Sequence, residues 1–217
     1  MRKHFSLAGT ALALVSLAGG SAHAQVAFFD NQAAFQAAST TSLQATFEGI
    51  NHEGGISDPY TEGSVTFSEP SNLYNVRPGG PAAVNDFDAP VTSNMLTVGG
   101  NEGITMTFAG PASIAVGFTG LTHRFDTPVV TVFDIASALT GTYVVTQAPG
   151  TVGFVAITST VGIGSVRWLA DRGSIKDTAI DKVYVGASAV PEPATHGLML
   201  GGIAPVGVAA RRGAART

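Results

Sequence analysis

Two carboxylates, Glu48 and Asp181, carry the clearest expectation of chemistry in this sequence. Glu48 ends an early strand pattern, and Asp181 lies in the last one, beside Lys182. In jelly-roll modules the first and last strands often run side by side, and our hypothesis is that these two side chains meet there. Two carboxylates with loop carbonyls suit Ca²⁺, which takes about six to eight oxygen ligands. The alternative is that Asp181 faces solvent beside Lys182 and that Glu48 only opens a turn.

Aromatic side chains in the least regular part of the sequence, residues 54–92, are candidates for a glycan-binding surface. Ligand sites combine aromatic rings with a few polar groups, and sugar faces stack on such rings. The candidate residues are Tyr60, Tyr74 and Phe87. Trp168 alternates with Arg167 in a strand pattern, and it is therefore predicted to lie in the core.

Motifs of the common hydrolases and nucleotide-binding enzymes are absent from the sequence. It has no Gly-x-Ser-x-Gly, no His-Glu-x-x-His and no phosphate-binding loop. His52 and His123 stand singly in predicted loops and are interpreted as solvated. Hydrolysis of glycans would need two acids about 5 to 10 Å apart, and the acids available for it are Glu48, Glu53, Glu62 and Glu69. We expect a noncatalytic domain, with a secreted glycan hydrolase as the alternative.

Short strands punctuated by glycine and proline would position these side chains. The pattern predicts strands at 43–48, 64–67, 96–98, 104–108, 113–118, 129–133, 142–146, 152–157, 165–169 and 180–185. One short helix is predicted over residues 30–38, with Asp30 as its N-cap. This pattern indicates an all-β protein with a single antiparallel, jelly-roll-like β-sandwich.

Composition restricts the partners of this domain. The sequence is only 12% charged, has 27 glycines and has no cysteine, which excludes disulfides and thiolate sites. Residues 25–189 hold six basic and fourteen acidic residues, a net charge of −8. A domain this acidic is predicted to repel nucleic acid and to favour cations, neutral glycans or basic partners.

The N-terminal residues 1–24 have the three parts of a secretory signal peptide. Arg2 and Lys3 form the positive region, and a short apolar stretch follows. Ala22 and Ala24 occupy the small positions of the cleavage site before Gln25. We therefore expect export through the Sec translocon. The alternative is an uncleaved membrane anchor.

The C-terminal residues 190–217 form a second three-part segment. It begins with the motif Val190-Pro191-Glu192-Pro193-Ala194-Thr195, in which the prolines favour an extended, accessible chain. An uncharged, mostly apolar stretch over 197–210 follows and is predicted to enter a bilayer as a helix. The basic residues that close the segment stay on the cytoplasmic side; they are Arg211, Arg212 and Arg216.

This C-terminal arrangement resembles the PEP-CTERM sorting signal of exported Gram-negative proteins. The resemblance covers residues 190–217 and departs from the family pattern at two places. His196 replaces the usual aromatic residue after the motif, and Pro205 interrupts the apolar stretch. The resemblance implies an exosortase that removes the tail, a transient inner-membrane stage, and release to the cell surface or matrix beside exopolysaccharide. A plain C-terminal anchor that no enzyme reads is the alternative.

The domain order that follows is a signal peptide (1–24), a β-sandwich (25–189) and a sorting signal (190–217). The sandwich is also similar to the jelly-roll domains common in PEP-CTERM proteins, which implies fold more than function. The predicted function is a noncatalytic surface or matrix protein associated with exopolysaccharide. A protein-binding adhesin is the alternative beside the hydrolase.

Overall fold

Thirteen strands and one helix are found in the computed structural model, which describes residues 26–69, 72–80, 87, 91–98, 103–109, 113–122, 127–148, 150–170 and 177–188. The helix is α1 (Gln32–Ala38). The strands are β1 (Val26–Phe29), β2 (Ser39–Ala45), β3 (Gly54–Gly55), β4 (Tyr60–Glu62), β5 (Val65–Ser68), β6 (Leu73–Val76), β7 (Met95–Val98), β8 (Ile104–Phe108), β9 (Ser113–Thr122), β10 (Pro128–Asp134), β11 (Leu139–Val144), β12 (Gly153–Ala170) and β13 (Thr178–Ser188).

The strands form two antiparallel layers that share the long strand β12. The first layer runs β3-β6-β7-β13-β9-β12-β1 through the first half of β12, and β2 pairs with the second half of β13. The second layer runs β11-β10-β12-β8-β5-β4 through the second half of β12. The predicted antiparallel β-sandwich is confirmed, with the sheet curled into its second layer at β12.

Strand β12 turns back on itself between the two layers. Gly153 pairs with Gly120 of β9, and Trp168, near the other end of β12, packs against that same Gly120. Gly162 and Gly164 lie where the strand passes from one layer to the other. The sequence predicted two separate strands over 152–157 and 165–169, but they are the two halves of one 18-residue strand.

The main core lies between the layers and is built from the inward positions of the strands. Trp168 is fully buried, as predicted, and its ring meets Phe118 edge-on at 5.4 Å between centroids. Phe47 and Phe67 form a similar pair at 5.1 Å. Each such pair adds about 0.5–1.5 kcal/mol beyond the burial of its area.

Helix α1 packs on the outer face of the first layer. Its Phe35 is fully buried and lies over Gly117, where a Cβ would come within 2.8 Å of the rings of Phe35 and Phe154. The cap is Asn31, whose side chain accepts a hydrogen bond from the Ala34 amide at 3.0 Å. The prediction of Asp30 as N-cap was therefore one residue early.

The region 54–92 is more regular than its sequence pattern indicates. Besides the predicted strand over residues 64–67, it contributes β3, β4 and β6, all short, to the edges of the two layers. Glycine pairs and prolines hid these strands because they normally mark turns.

Candidate functional site

Glu48 and Asp181 lie near each other, since β2 pairs with β13 and the charge of Glu48 acts on Asp181. The prediction that Glu48 ends a strand was wrong: β2 ends at Ala45, and Glu48 lies in the turn that follows it. Two residues between them hold the arrangement together. The hydroxyl of Ser93 donates to Asp181 Oδ2 at 2.5 Å, and the amide of Asn94 donates to Glu48 Oε1 at 3.1 Å. Asp181 is only 2% exposed, which excludes the alternative that it faces solvent. Glu48 is exposed.

The surroundings of Asp181 disfavour the charged form of its carboxyl group. Burial raises the pKa of Asp181 above its usual range, and the negative charge of Glu48 adds to the increase. Hydrogen bonds from Ser93 and from the Lys182 amide, together with the Lys182 charge, lower that pKa but do not cancel the effect of burial. A cation between the two carboxylates would relieve both unfavourable effects.

Strained backbone flanks both carboxylates. Phe47, just before Glu48, has φ 59°, and Lys182, just after Asp181, has φ 50°. The Lys182 amide donates to Asp181 Oδ1 at 2.6 Å, within a bulge that interrupts the pairing of β13 with β9. Side chains rarely occupy this region of φ without surrounding contacts that fix it, and such residues cluster at functional sites.

The strain at Phe47 is held by a hydrogen-bonded loop. The Glu62 carboxylate accepts from the amides of Thr46 at 2.9 Å and Phe47 at 3.2 Å. The side-chain amide of Asn94 donates to the carbonyls of Phe47 and Ile50, each at 3.2 Å. Glu48 therefore projects from a rigid loop.

The side chains of Glu48, Asp181 and Ser93 offer the type of oxygen ligand that calcium prefers, but fewer ligands than one calcium ion needs. Two carboxylates and the Ser93 hydroxyl are hard oxygen ligands, and Ca²⁺ needs about six to eight of them, some of which are commonly waters. Within the described residues no group of three or more His, Asp or Glu residues gathers as a metal site. Calcium at Glu48 and Asp181 stays a prediction.

The Tyr60 ring is partly buried and packs mainly against other aromatic rings, so it offers little free surface on which a sugar could stack. Its ring packs against Phe47 and Phe67, with centroids 6.2 and 6.3 Å away. Its hydroxyl donates to Glu62 Oε2 at 2.9 Å. Burial, and then the hydrogen bond and charge of Glu62, raise the pKa of Tyr60 to about 12.

The other two aromatic candidates, Phe87 and Tyr74, differ in their exposure to solvent. Phe87 is 1% exposed and packs in a small core with Leu121 and Ala179 on the outer face of the first layer. Its prediction as an exposed ligand residue was therefore wrong, because a ring in an irregular segment covers this part of the sheet. Tyr74 is half-exposed on β6, opposite Gly55 of β3, and its role stays a prediction.

A cleft of about 330 Å³ opens elsewhere, where the β11–β12 loop meets the start of α1. Its lining combines one carboxylate, hydroxyls, an amide and one ring. The lining residues are Asp30, Val145, Thr146, Gln147, Ala148, Thr151, Gly153 and Phe154. Asp30 is exposed at the rim, and the Phe154 ring is held from behind by Phe35 at 5.7 Å and Tyr184 at 6.3 Å.

Gln147 fixes one wall of this cleft. Its Nε2 donates to the carbonyl of Gly120 at 3.2 Å and to that of Thr151. Its Oε1 lies against Gly153 and is buried without a hydrogen-bond partner. An unmet buried acceptor costs about 1–3 kcal/mol, so a ligand hydroxyl or a water placed beside Gly153 would stabilise this wall.

The acids considered for hydrolysis do not face one another across this cleft. Glu62 binds backbone amides, Glu69 is 8% exposed, and Glu53 lies against Gly80. His52 is exposed, and its Nε2 is 3.2 Å from the carbonyl oxygen of Gly55. His123 lies outside the described residues.

The targeting segments also lie outside the described residues. This applies to the signal cleavage residues Ala22, Ala24 and Gln25, to the motif 190–195, and to the basic residues Arg211, Arg212 and Arg216. In the part of the chain that is described, no helix has the length and apolar character needed to cross a bilayer.

Comparisons with known proteins give only distant likenesses. No protein-family model matches the chain, and no curated protein matches it. The fold is similar to the carbohydrate-binding module TmCBM61, solved with β-1,4-galactotriose, at 15% identity and TM-score 0.33, covering 66% of this chain and 95% of that one. It is also similar to the enzymatically active domain of bacteriophage CBA120 tailspike protein 4, at 14% identity and TM-score 0.28, covering 69% of this chain and 21% of that one. Function must therefore be inferred from the chain's own residues.

Proposed function

We propose that this chain is an exported, noncatalytic surface protein whose β-sandwich binds neutral glycan chains of the exopolysaccharide. The cleft between Asp30 and Phe154 carries this proposal. Hydroxyls, an amide and a carboxylate around one apolar ring can pair with the hydroxyls of a sugar while the ring covers its apolar face. Asp30 favours neutral or amino sugars over uronic acids, because like charges repel.

The noncatalytic part of the proposal is supported by the distribution of acids. Among the described lining residues of the cleft, Asp30 alone carries a carboxyl group. Glycoside hydrolysis in most families needs two carboxyl groups flanking the scissile bond. Glu48 and Asp181 do form a pair, but Asp181 is too deeply buried for a sugar to reach.

The sorting part of the proposal is supported by the sequence at both ends. A signal peptide would bring the chain to the Sec translocon, and the segment 190–217 would hold it at the inner membrane. An exosortase would then recognise the Val190–Thr195 motif and release the domain to the cell surface. Tail removal is tested by the mass of the mature protein in cells with and without the exosortase.

Glycan binding is tested by titration calorimetry of the chain from Gln25 to Ala189 with the exopolysaccharide of its own host. The titration is run with calcium and with chelator. We expect Asp30→Asn and Gln147→Ala each to weaken binding by roughly two- to tenfold, the value of one hydrogen bond. Gln36→Ala, an exposed glutamine on α1, is the matched control. Absence of binding by the unaltered chain in both conditions would remove the glycan function.

A further inference from the structure

Both ends of the described domain emerge at one end of the sandwich, which we call the terminal pole. Gly186, Ala115 and Thr158 form a row across β13, β9 and β12, and Ala27 of β1 pairs with Thr158 on its other side. Neighbouring strands lie about 4.8 Å apart, so the two ends of the domain are separated by only a few strand widths. The terminal pole comprises residues 26–27, 39–42, 113–115, 135–139, 158–163 and 186–188.

The turn between β10 and β11 belongs to the same pole. Asp134 pairs with Ile163, where β12 enters the second layer. A Cβ on Gly141 would lie 3.6 Å from the side chain of Val26, so β11 contacts the first strand of the domain directly. Phe28 and Tyr143 stack in the same contact, with centroids 4.8 Å apart.

This turn presents two apolar side chains to the outside. Ile135 is 72% exposed and Leu139 is 62% exposed, the two largest values among the large apolar residues that the structure describes. The Asp134 carboxylate accepts from the amides of Ala136 at 2.8 Å and Ala138 at 2.9 Å, which makes the turn rigid. Nothing in the turn buries either side chain, so both are available for a contact outside the domain.

The residues that define the terminal pole have few charges nearby in an acidic domain, and the carboxylate next to them, Asp134, is bound by the amides of the turn. None of the pole residues is Asp, Glu, Lys, Arg or His, and the whole stretch 135–166 has no such residue either. The domain as a whole carries −8, which would repel an anionic lipid surface. The defined pole residues themselves add nothing to this repulsion, and Asp134 beside them is the charge that a contact with lipid would have to tolerate.

We propose that the β10–β11 turn contacts the lipid bilayer while the domain is tethered, with Ile135 and Leu139 entering the interface. This inference rests on the proposed membrane stage. Only eight residues lie between Ser188 and Gly197, where the apolar segment begins, so the chain takes nine residue steps from one to the other. Extended chain spans at most about 3.6 Å per residue, so the tether holds the terminal pole within roughly 30 Å of the bilayer.

The absence of cysteine allows a direct test. The chain from Gln25 to Thr217 carries Leu139→Cys, labelled with an environment-sensitive fluorophore, and is reconstituted into phosphatidylcholine vesicles with nitroxide-labelled lipid. The matched control is Val152→Cys, since Val152 is 44% exposed beside the cleft. We expect the label at 139 to shift to the blue and lose intensity to the nitroxide, and the label at 152 to do neither. Adding Ile135→Ser should reduce the quenching at 139.

The other outcomes separate failure of the contact from failure of the tether. Chains that float with the vesicles but show no quenching at position 139 overturn the contact and leave the tether intact. Equal quenching at both positions means that the domain lies on its side, and it overturns the contact through the terminal pole. A blue shift without quenching means that protein covers the turn. Chains that do not float with vesicles remove the membrane stage and this inference together.

Discussion

Replacing Asp181 by asparagine separates the two roles of its carboxylate. The change keeps the size of the side chain and removes a buried charge. In chelator, burying that charge costs several kcal/mol, while hydrogen bonds from Ser93 and the Lys182 amide return about 1.5–3 kcal/mol each. Because burial outweighs these bonds and raises the pKa of Asp181, we expect Asp181→Asn to be more stable than metal-free wild type at pH 7, by about 1.4 kcal/mol for each unit of that increase.

Calcium should reverse the order of the two proteins. A ligand at a hundred times its Kd stabilises the native state by about 2.7 kcal/mol. For a domain of this size that raises Tm by roughly 5–10 °C. Wild-type protein should show this increase in calorimetric or fluorescence melting, and Asp181→Asn should lose most of it. Asp30→Asn, which removes an exposed carboxylate, should respond to calcium as wild type does.

The pH dependence in chelator provides an independent check. The folded protein holds the Asp181 proton more tightly than the unfolded chain does, since its pKa is raised above 3.8. The stability from this proton is complete below pH 3.8 and is lost as the pH rises through the folded pKa. Wild type and Asp181→Asn should therefore agree in acid and diverge on the way to neutral pH. Equal responses to calcium, or a less stable Asp181→Asn protein in chelator at pH 7, would refute the calcium site as drawn.

Two further predictions test the aromatic residues. Phe87→Ala should lower the free energy of unfolding by about 3–5 kcal/mol in denaturant titration without changing glycan affinity at mild temperature; an unchanged stability would contradict its place in the core. Tyr60 should form its phenolate near pH 12, seen as the difference in ultraviolet absorbance between wild type and Tyr60→Phe. Because this pKa is raised, wild type should lose stability relative to Tyr60→Phe as the pH rises from 10 towards 12, and parallel losses would argue against the bond to Glu62.

That Glu48 comes near Asp181 could be predicted in part, because the strand before Glu48 pairs with the strand that holds Asp181. Ala45, the last residue of β2, pairs with Val183 of β13, which brings the turn that holds Glu48 to the level of Asp181. The details that hold them could not be predicted in this way. Ser93 and Asn94 lie in an irregular stretch, and the positive φ at Phe47 and Lys182 depends on contacts from distant segments.

The cleft had no sequence signal because its walls come from separate segments. Asp30 lies just before the cap of α1, and Thr146 to Phe154 lie more than a hundred residues later. No motif spacing links them. The prediction for Phe87 was wrong for a different reason. Its neighbours in the sequence resemble a loop, but its ring is buried against the outer face of the first layer. Periodicity detects strands well, and it does not detect rings that cover a sheet from a loop.

The positions of the cleft and the terminal pole give the two proposals a common geometry. Along β12, Gly153 lies at the cleft and Ser159 pairs with Val26 at the terminal pole. Six residues of strand separate these levels by about 20 Å. A domain that rests on the bilayer through Ile135 and Leu139 would therefore hold its cleft away from the lipid, towards glycan chains outside. Glycan and membrane would not compete for one surface, so Leu139→Ser should change lipid contact and leave the glycan affinity of the isolated domain unchanged.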